Sequence, residues 1–190
     1  MACVAWNLGS RGRRGSARTV CWMAATIRHA RPGDGEAIAR TWLSAGHYYA
    51  SLDPQHFQVP REEGLAALWD DDIRQGNADS LYLVAEISGR VTGSLTAHLE
   101  LPEPDAASQL TRDQGRTRLA IDALMVMQEN WRHGVGATLL QAAESWGRAR
   151  GAEFARLDTY ADSPVSVPFY ERRMGYHRRA IVFEKPIGPP

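Results

Sequence analysis

Gly134-Val135-Gly136, preceded by Arg132 and His133, is the densest piece of chemistry in the sequence. It follows an apolar run (Leu119, Ile121, Leu124, Val126) and a polar turn, Gln128-Glu129-Asn130, and it opens a helical pattern ending at Gly151. A strand, a glycine turn and a helix N-terminus in that order make a site for an anion. Unpaired backbone N–H groups and the positive end of the helix dipole converge on one spot. Without a Cβ at 134 and 136 a phosphate can approach the backbone, and Arg132 and His133 add side-chain donors. The same residues also suit a plain helix start, so the elements around them matter.

Before this unit, residues 26–30 alternate like a short strand, and Arg31-Pro32-Gly33 turns the chain into a helix with Asp34 as N-cap. Ile38, Trp42, Ala45, Tyr49 and Leu52 recur at three- and four-residue steps, and Asp53-Pro54 ends that helix. A second helix is expected from Pro60 to about Gln75, burying Leu65, Leu68 or Trp69, and Ile73. Residues 81–86 and 91–101 read as a hairpin around Ser88-Gly89-Arg90, with Gly93 marking a bulge or close approach. Residues 102–118 form a long polar connection. After the central strand and its helix come a strand over 154–160, a short helix over 163–174 and a final strand over 176–185. The expected class is α/β (α+β): a mixed sheet with helices on both faces.

Composition narrows the function. The 190-residue chain is long enough for one domain with a real core, and its basic and acidic residues balance at 22 each. No global charge argues for nucleic acid or an anionic membrane. No run reaches the roughly 18 apolar residues of a membrane span. Cys3 and Cys21 both lie in the head, so the body has neither a disulfide framework nor a cysteine metal site, and the scattered histidines show no metal-ligand spacing. Residues 1–25 carry four arginines and no acid; they are expected to be a disordered basic extension, with Met23 the preferred initiator. Residues 26–187 are expected to form the single domain.

This element order, with these residues, resembles the GNAT superfamily of acyl-CoA-dependent N-acyltransferases over nearly the whole body. Gly134-Val135-Gly136 matches the glycine end of the family's core motif, while Trp131 stands where the family prefers Arg or Gln. Phe169-Tyr170 followed by Gly175-Tyr176 is similar to the family's C-terminal aromatic motif. Ser163 replaces its usual Asn.

The resemblance implies acetyl-CoA as acyl donor in a V-shaped opening beside the central strand. The pantetheine arm would lie along Leu124, Met125 and Val126 like an added strand. The pyrophosphate would sit on the N–H groups of Arg132, His133, Gly134, Val135, Gly136 and Ala137, with Ser163 and Tyr170 also lining the donor site. An amine would attack the thioester directly, so no enzyme nucleophile is required. Tyr170 matches the family's acid. A base must deprotonate the amine, and Asp122, His98, Glu100, Asp158 or a water chain are the choices, with Asp122 on the central strand itself. His47, Tyr48, Tyr49, His56 and Phe57 fall where the family walls its acceptor pocket. Asp70-Asp71-Asp72 reads as a solvated helix face.

The expected function is N-acetylation of a primary amine on a small molecule, by a cytoplasmic enzyme, with no nucleic acid, membrane or metal involved. The family also implies a homodimer paired through C-terminal strands. The alternatives are acetylation of a protein N-terminus or lysine, and a non-catalytic acyl-CoA-binding module. A dinucleotide-binding fold fails, because the glycine turn follows antiparallel strands and no three-glycine fingerprint is present.

Overall fold

A computed structural model describes residues 24–185 and Gly188. The expected head extension thus lies almost wholly outside the described residues. Strand β1 (Thr26–His29) leads into α1 (Gly35–Leu52) and α2 (Leu65–Gln75). Strands β2 (Ser80–Ile87), β3 (Arg90–Glu100) and β4 (Arg118–Val126) follow, then α3 (Val135–Arg148) and β5 (Phe154–Arg156). Helix α4 (Ser166–Pro168) continues as a π turn over Phe169–Arg173. The five strands lie in sequence order; all pairs are antiparallel except β4 with β5.

Period-two alternation assigns the two faces. Leu81, Leu83 and Ala85 of β2, Leu95, Ala97 and Leu99 of β3, and Leu119 and Ile121 of β4 pack against Val135, Leu139, Leu140 and Ala143 of α3. Val84 turns the other way, to Ile38 and Ala39 of α1 and Leu65 and Trp69 of α2. Where α1 crosses β3, the buried hydroxyls of Thr41 and Ser94 share a hydrogen bond of 2.7 Å. A buried hydroxyl pair satisfies itself there, which marks the edge of the apolar layer.

The junction of β1, α1 and α2 is held by charge. Arg28 donates to both Asp34 oxygens at 2.7 and 2.9 Å and to Glu86 Oε1 at 2.6 Å. Asp34 stands at the N-cap position, but its carboxylate accepts from the Arg31 N–H and Arg28. Asp70 Oδ1 of α2 takes the N–H groups of Gly33 and Gly35 at 2.8 and 2.9 Å. The acidic triplet therefore has three fates: Asp70 ties α2 to the α1 terminus, Asp71 pairs with Arg74, and Asp72 lines a surface hollow.

Several boundaries differ from expectation. Helix α2 begins at Leu65 rather than Pro60, after Gly64, and leaves Leu68 exposed while burying Trp69. The long connection contains 3-10 turns at Ala106–Ser108 and Arg112–Gly115. Gly93 fulfils both expected reasons: a Cβ there would lie 3.1 Å from Leu139 and Val135, and the β2–β3 register slips beside it. Residues 176–185 form no strand. They make no ladder with β5, and Ile181, Val182 and Phe183 are exposed. The segment is held by side chains, Arg178 on Glu171, Arg179 on Asp113 and Glu184 near His56. Without a backbone partner an apolar run does not become a strand.

Candidate functional site

The parallel ladder between β4 and β5 covers only Arg118↔Phe154, Leu119↔Ala155 and Ala120↔Arg156. Strand β4 runs on to Val126, so its β5-side edge is open beyond Ala120. Which groups face that opening follows from register. Met127 N–H donates to Thr92 O at 2.9 Å, while Val126 stands opposite Gly93. In an antiparallel pair this makes Val126 a non-hydrogen-bonded partner, whose own N–H and C=O point to the opposite edge. Leu124, two residues earlier, does the same. Leu124 thus offers its N–H and C=O, and Val126 its N–H, to an added strand, while the Val126 C=O accepts the Trp131 indole N–H and Met125 points its main chain towards β3.

At the end of this edge the chain turns through Arg132, at φ 64°, and Gly134, at φ 86°, into α3. No side chain caps α3. The first N–H groups of a helix lack intrahelical acceptors, so those of Gly134, Val135, Gly136 and Ala137 are directed at whatever lies before it. The two glycines serve different ends. Gly134 is needed for its left-handed backbone. A Cβ on Gly136 would meet Phe169, Val126 and Leu124 at 3.5 to 3.9 Å, so this position packs inward. Trp131, in place of the family's Arg or Gln, donates its indole N–H to Val126 O at 2.7 Å and stands edge-on to Tyr48 at 4.8 Å. The Tyr48 hydroxyl beside it is buried without a partner. Ser163 is buried, and its hydroxyl accepts the Ser166 N–H at 3.0 Å, so it stabilises the start of α4.

Tyr170 sits in the π turn against Phe169 and Tyr176, with ring centroids 5.1 and 5.9 Å away. Burial, then the nearby Tyr49 and Asp158, push its phenol well above the ordinary value. It stays protonated and able to donate. The aromatic wall expected near the first helix is present: Tyr49 packs on Phe57 at 5.0 Å, and Phe57 on Tyr160 at 5.1 Å. Tyr160, which donates to Asp53 at 3.2 Å, completes this wall and was not anticipated.

On the α1–α2 face the sheet is polar where the helices stop. Thr96, His98 and Glu100 project from β3 at two-residue steps, beside Ser80 and Tyr82 of β2. Thr96 pairs with Ala123 but Ala97 with Ile121, so Asp122 is an extra residue, a β-bulge. Its Oδ2 lies 3.0 Å from His98 Nδ1. A hollow of about 350 Å³ runs from Trp42, Trp69 and Asp72 to His98 and Asp122. A second, of about 310 Å³, continues from His98, Glu100 and Asp122 to Arg156 and Asp158 at the mouth of the β4–β5 opening. The structure therefore gathers Asp122, His98, Glu100 and Asp158 at one trough. The alternation of β3 was visible in the sequence; the β3–β4 pairing that lays Asp122 against His98 was not. Arg178 and Arg179 are engaged by acids of the same chain. Among the described residues no cluster of His, Cys, Asp and Glu could hold a metal ion, and no helix is long and apolar enough to cross a membrane.

Residues 45–176 match the model of the Acetyltransferase (GNAT) family. No curated protein matches by sequence. Among solved structures, a mutant of the BH1408 protein from Bacillus halodurans is 21% identical, with 85% of this chain and 99% of that one covered and a TM-score of 0.73. An integron cassette protein from the mobile metagenome of V. cholerae is 14% identical over 87% of this chain and 94% of that one, at 0.65. An aminoglycoside acetyltransferase from an uncultured soil metagenomic sample, in complex with sisomicin, is 17% identical over 86% and 97%, at 0.55. At such identities these likenesses establish the fold.

Proposed function

Because the chain belongs to the GNAT acetyltransferase family, we propose that it transfers an acetyl group from acetyl-CoA to a primary amine of a small molecule. One observation carries this reading: the edge of β4 beyond Ala120, which pairs with no further strand, ends at an α3 N-terminus that no side chain caps. An extended pantetheine arm pairs with Leu124 and Val126, and the pyrophosphate rests on the N–H groups of Gly134 to Ala137. Bound acetyl-CoA supplies the activated thioester carbonyl. The amine attacks it from the trough, and Tyr170, held protonated by burial, delivers a proton to the departing sulfur. Aminoglycoside acetyltransferases among the structural relatives support a small-molecule acceptor. In this reading the enzyme is cytoplasmic.

Calorimetric titration with acetyl-CoA beside acetyl-N-acetylcysteamine, which lacks the pyrophosphate, tests the donor site. Saturable acetyl-CoA binding, much tighter than that of the truncated thioester, is expected, with thiol release on adding primary amines. A folded protein that binds neither compound refutes the proposal.

A further inference from the structure

We infer that His98 is the proton acceptor of the transfer, with Asp122 as its positioning residue; this rests on the acetyl transfer proposed above. The two lie on adjacent strands, at the point where the β3–β4 register slips. Here Asp122 Oδ2 stands 3.0 Å from His98 Nδ1. A carboxylate acceptor at Nδ1 holds the proton on that nitrogen and leaves the Nε2 lone pair outward. Nε2 is 3.6 Å from Glu100 Oε1, beyond hydrogen-bond reach. Glu100 is itself bound to Arg118 across the strands, so it does not compete as the base. The imidazole is the one group that lines both hollows together with Asp122, between the tryptophan-walled end and the β4–β5 mouth. Its exposure (42% of the side chain) leaves it accessible to an amine.

The other charged groups facing the trough are Asp72, Asp158 and Arg156, beside the neutral phenol of Tyr82. With Asp122 and Glu100 they leave an acidic excess, which draws an ammonium. The proton inventory closes. The ammonium gives one proton to His98 Nε2, and the freed nitrogen pair forms the C–N bond. As the C–S bond breaks, the Tyr170 phenol protonates sulfur and recovers the second nitrogen proton. His98 then releases its proton to water. Products are the amide, CoA thiol and one proton.

The test uses the full chain with acetyl-CoA and three probe amines: ethylamine at high concentration, spermidine and sisomicin. His98→Gln is expected to lower kcat about 100-fold, with acetyl-CoA affinity unchanged. His98→Ala is expected to regain rate with added imidazole, whereas Asp122→Asn loses rate without imidazole rescue. Unchanged kcat in His98→Gln overturns the assignment, as does failure of imidazole to rescue a folded His98→Ala. Acetyl-CoA binding with no acetylation of any probe also overturns it while leaving the donor site standing. Loss of acetyl-CoA binding in the unmutated chain instead refutes the broader proposal.

Discussion

The indole N–H of Trp131 donates to the main-chain carbonyl of Val126 at 2.7 Å, fastening the turn before α3 to the open edge of β4. Trp131→Phe keeps the ring against Tyr48 but removes the donor. The expected cost is about 1 kcal/mol of stability. Because the same turn presents the N–H groups of Gly134 to Ala137, acetyl-CoA binding should weaken about fivefold if that hydrogen bond's worth is lost on binding. Urea unfolding and calorimetry on one preparation measure both.

The two motif glycines should separate. Gly134, at φ 86°, has open space where a Cβ would be, so Gly134→Ala costs about 1 kcal/mol through backbone strain alone. At Gly136 the added methyl meets Phe169 and Val126 at ordinary contact distances, and helix propensity favours alanine. Gly136→Ala should match or exceed the parent's stability and keep its acetyl-CoA affinity. Thermal unfolding of the pair checks this.

Tyr170→Phe should lower kcat about 100-fold with little change in acetyl-CoA affinity. Since the phenol's pKa is raised by burial, the acid form persists above the ordinary value of 10.0. The pH profile of kcat should therefore show no alkaline loss attributable to this group below about pH 10. An alkaline limb near 9 that vanishes in Tyr170→Phe would contradict the assignment.

Asp34 is held below its ordinary carboxylate range first by hydrogen bonding to Arg28, then by the Arg31 N–H. A depressed folded-state pKa stabilises the protein above the unfolded value and loses that contribution as pH falls through the folded value. Unfolding free energy should therefore decline below about pH 4. Asp34→Asn should cost about 2 kcal/mol at neutral pH and flatten that decline. Denaturant titrations from pH 3 to 7 distinguish the outcomes.

Local pattern carried much of the fold because it reports local physics. Alternation over 81–86 and 91–101 defined the hairpin, and the run to Val126 followed by two glycines defined the central strand and helix start. Those signals sit within a few residues, so one sequence suffices to read them. Failures occurred where a distant partner decides. The apolar run at Ile181 to Phe183 looks like a strand but finds no ladder. Asp70 looks like a solvated charge until α1 brings Gly33 and Gly35 to it.

For the site the division is the same. The sequence alone determined that a glycine turn would follow a central strand and open a helix, the arrangement from which an anion site is expected. It also put Tyr170 in an aromatic motif, and His98 and Glu100 on one face of a strand. Only tertiary structure decided that β5 stops pairing at Arg156, which opens the β4 edge. It alone placed Trp131 on Val126 and set the β3–β4 pairing that lays the Asp122 carboxylate against His98. Register between strands depends on contacts across the whole sheet, and no window of the chain contains it.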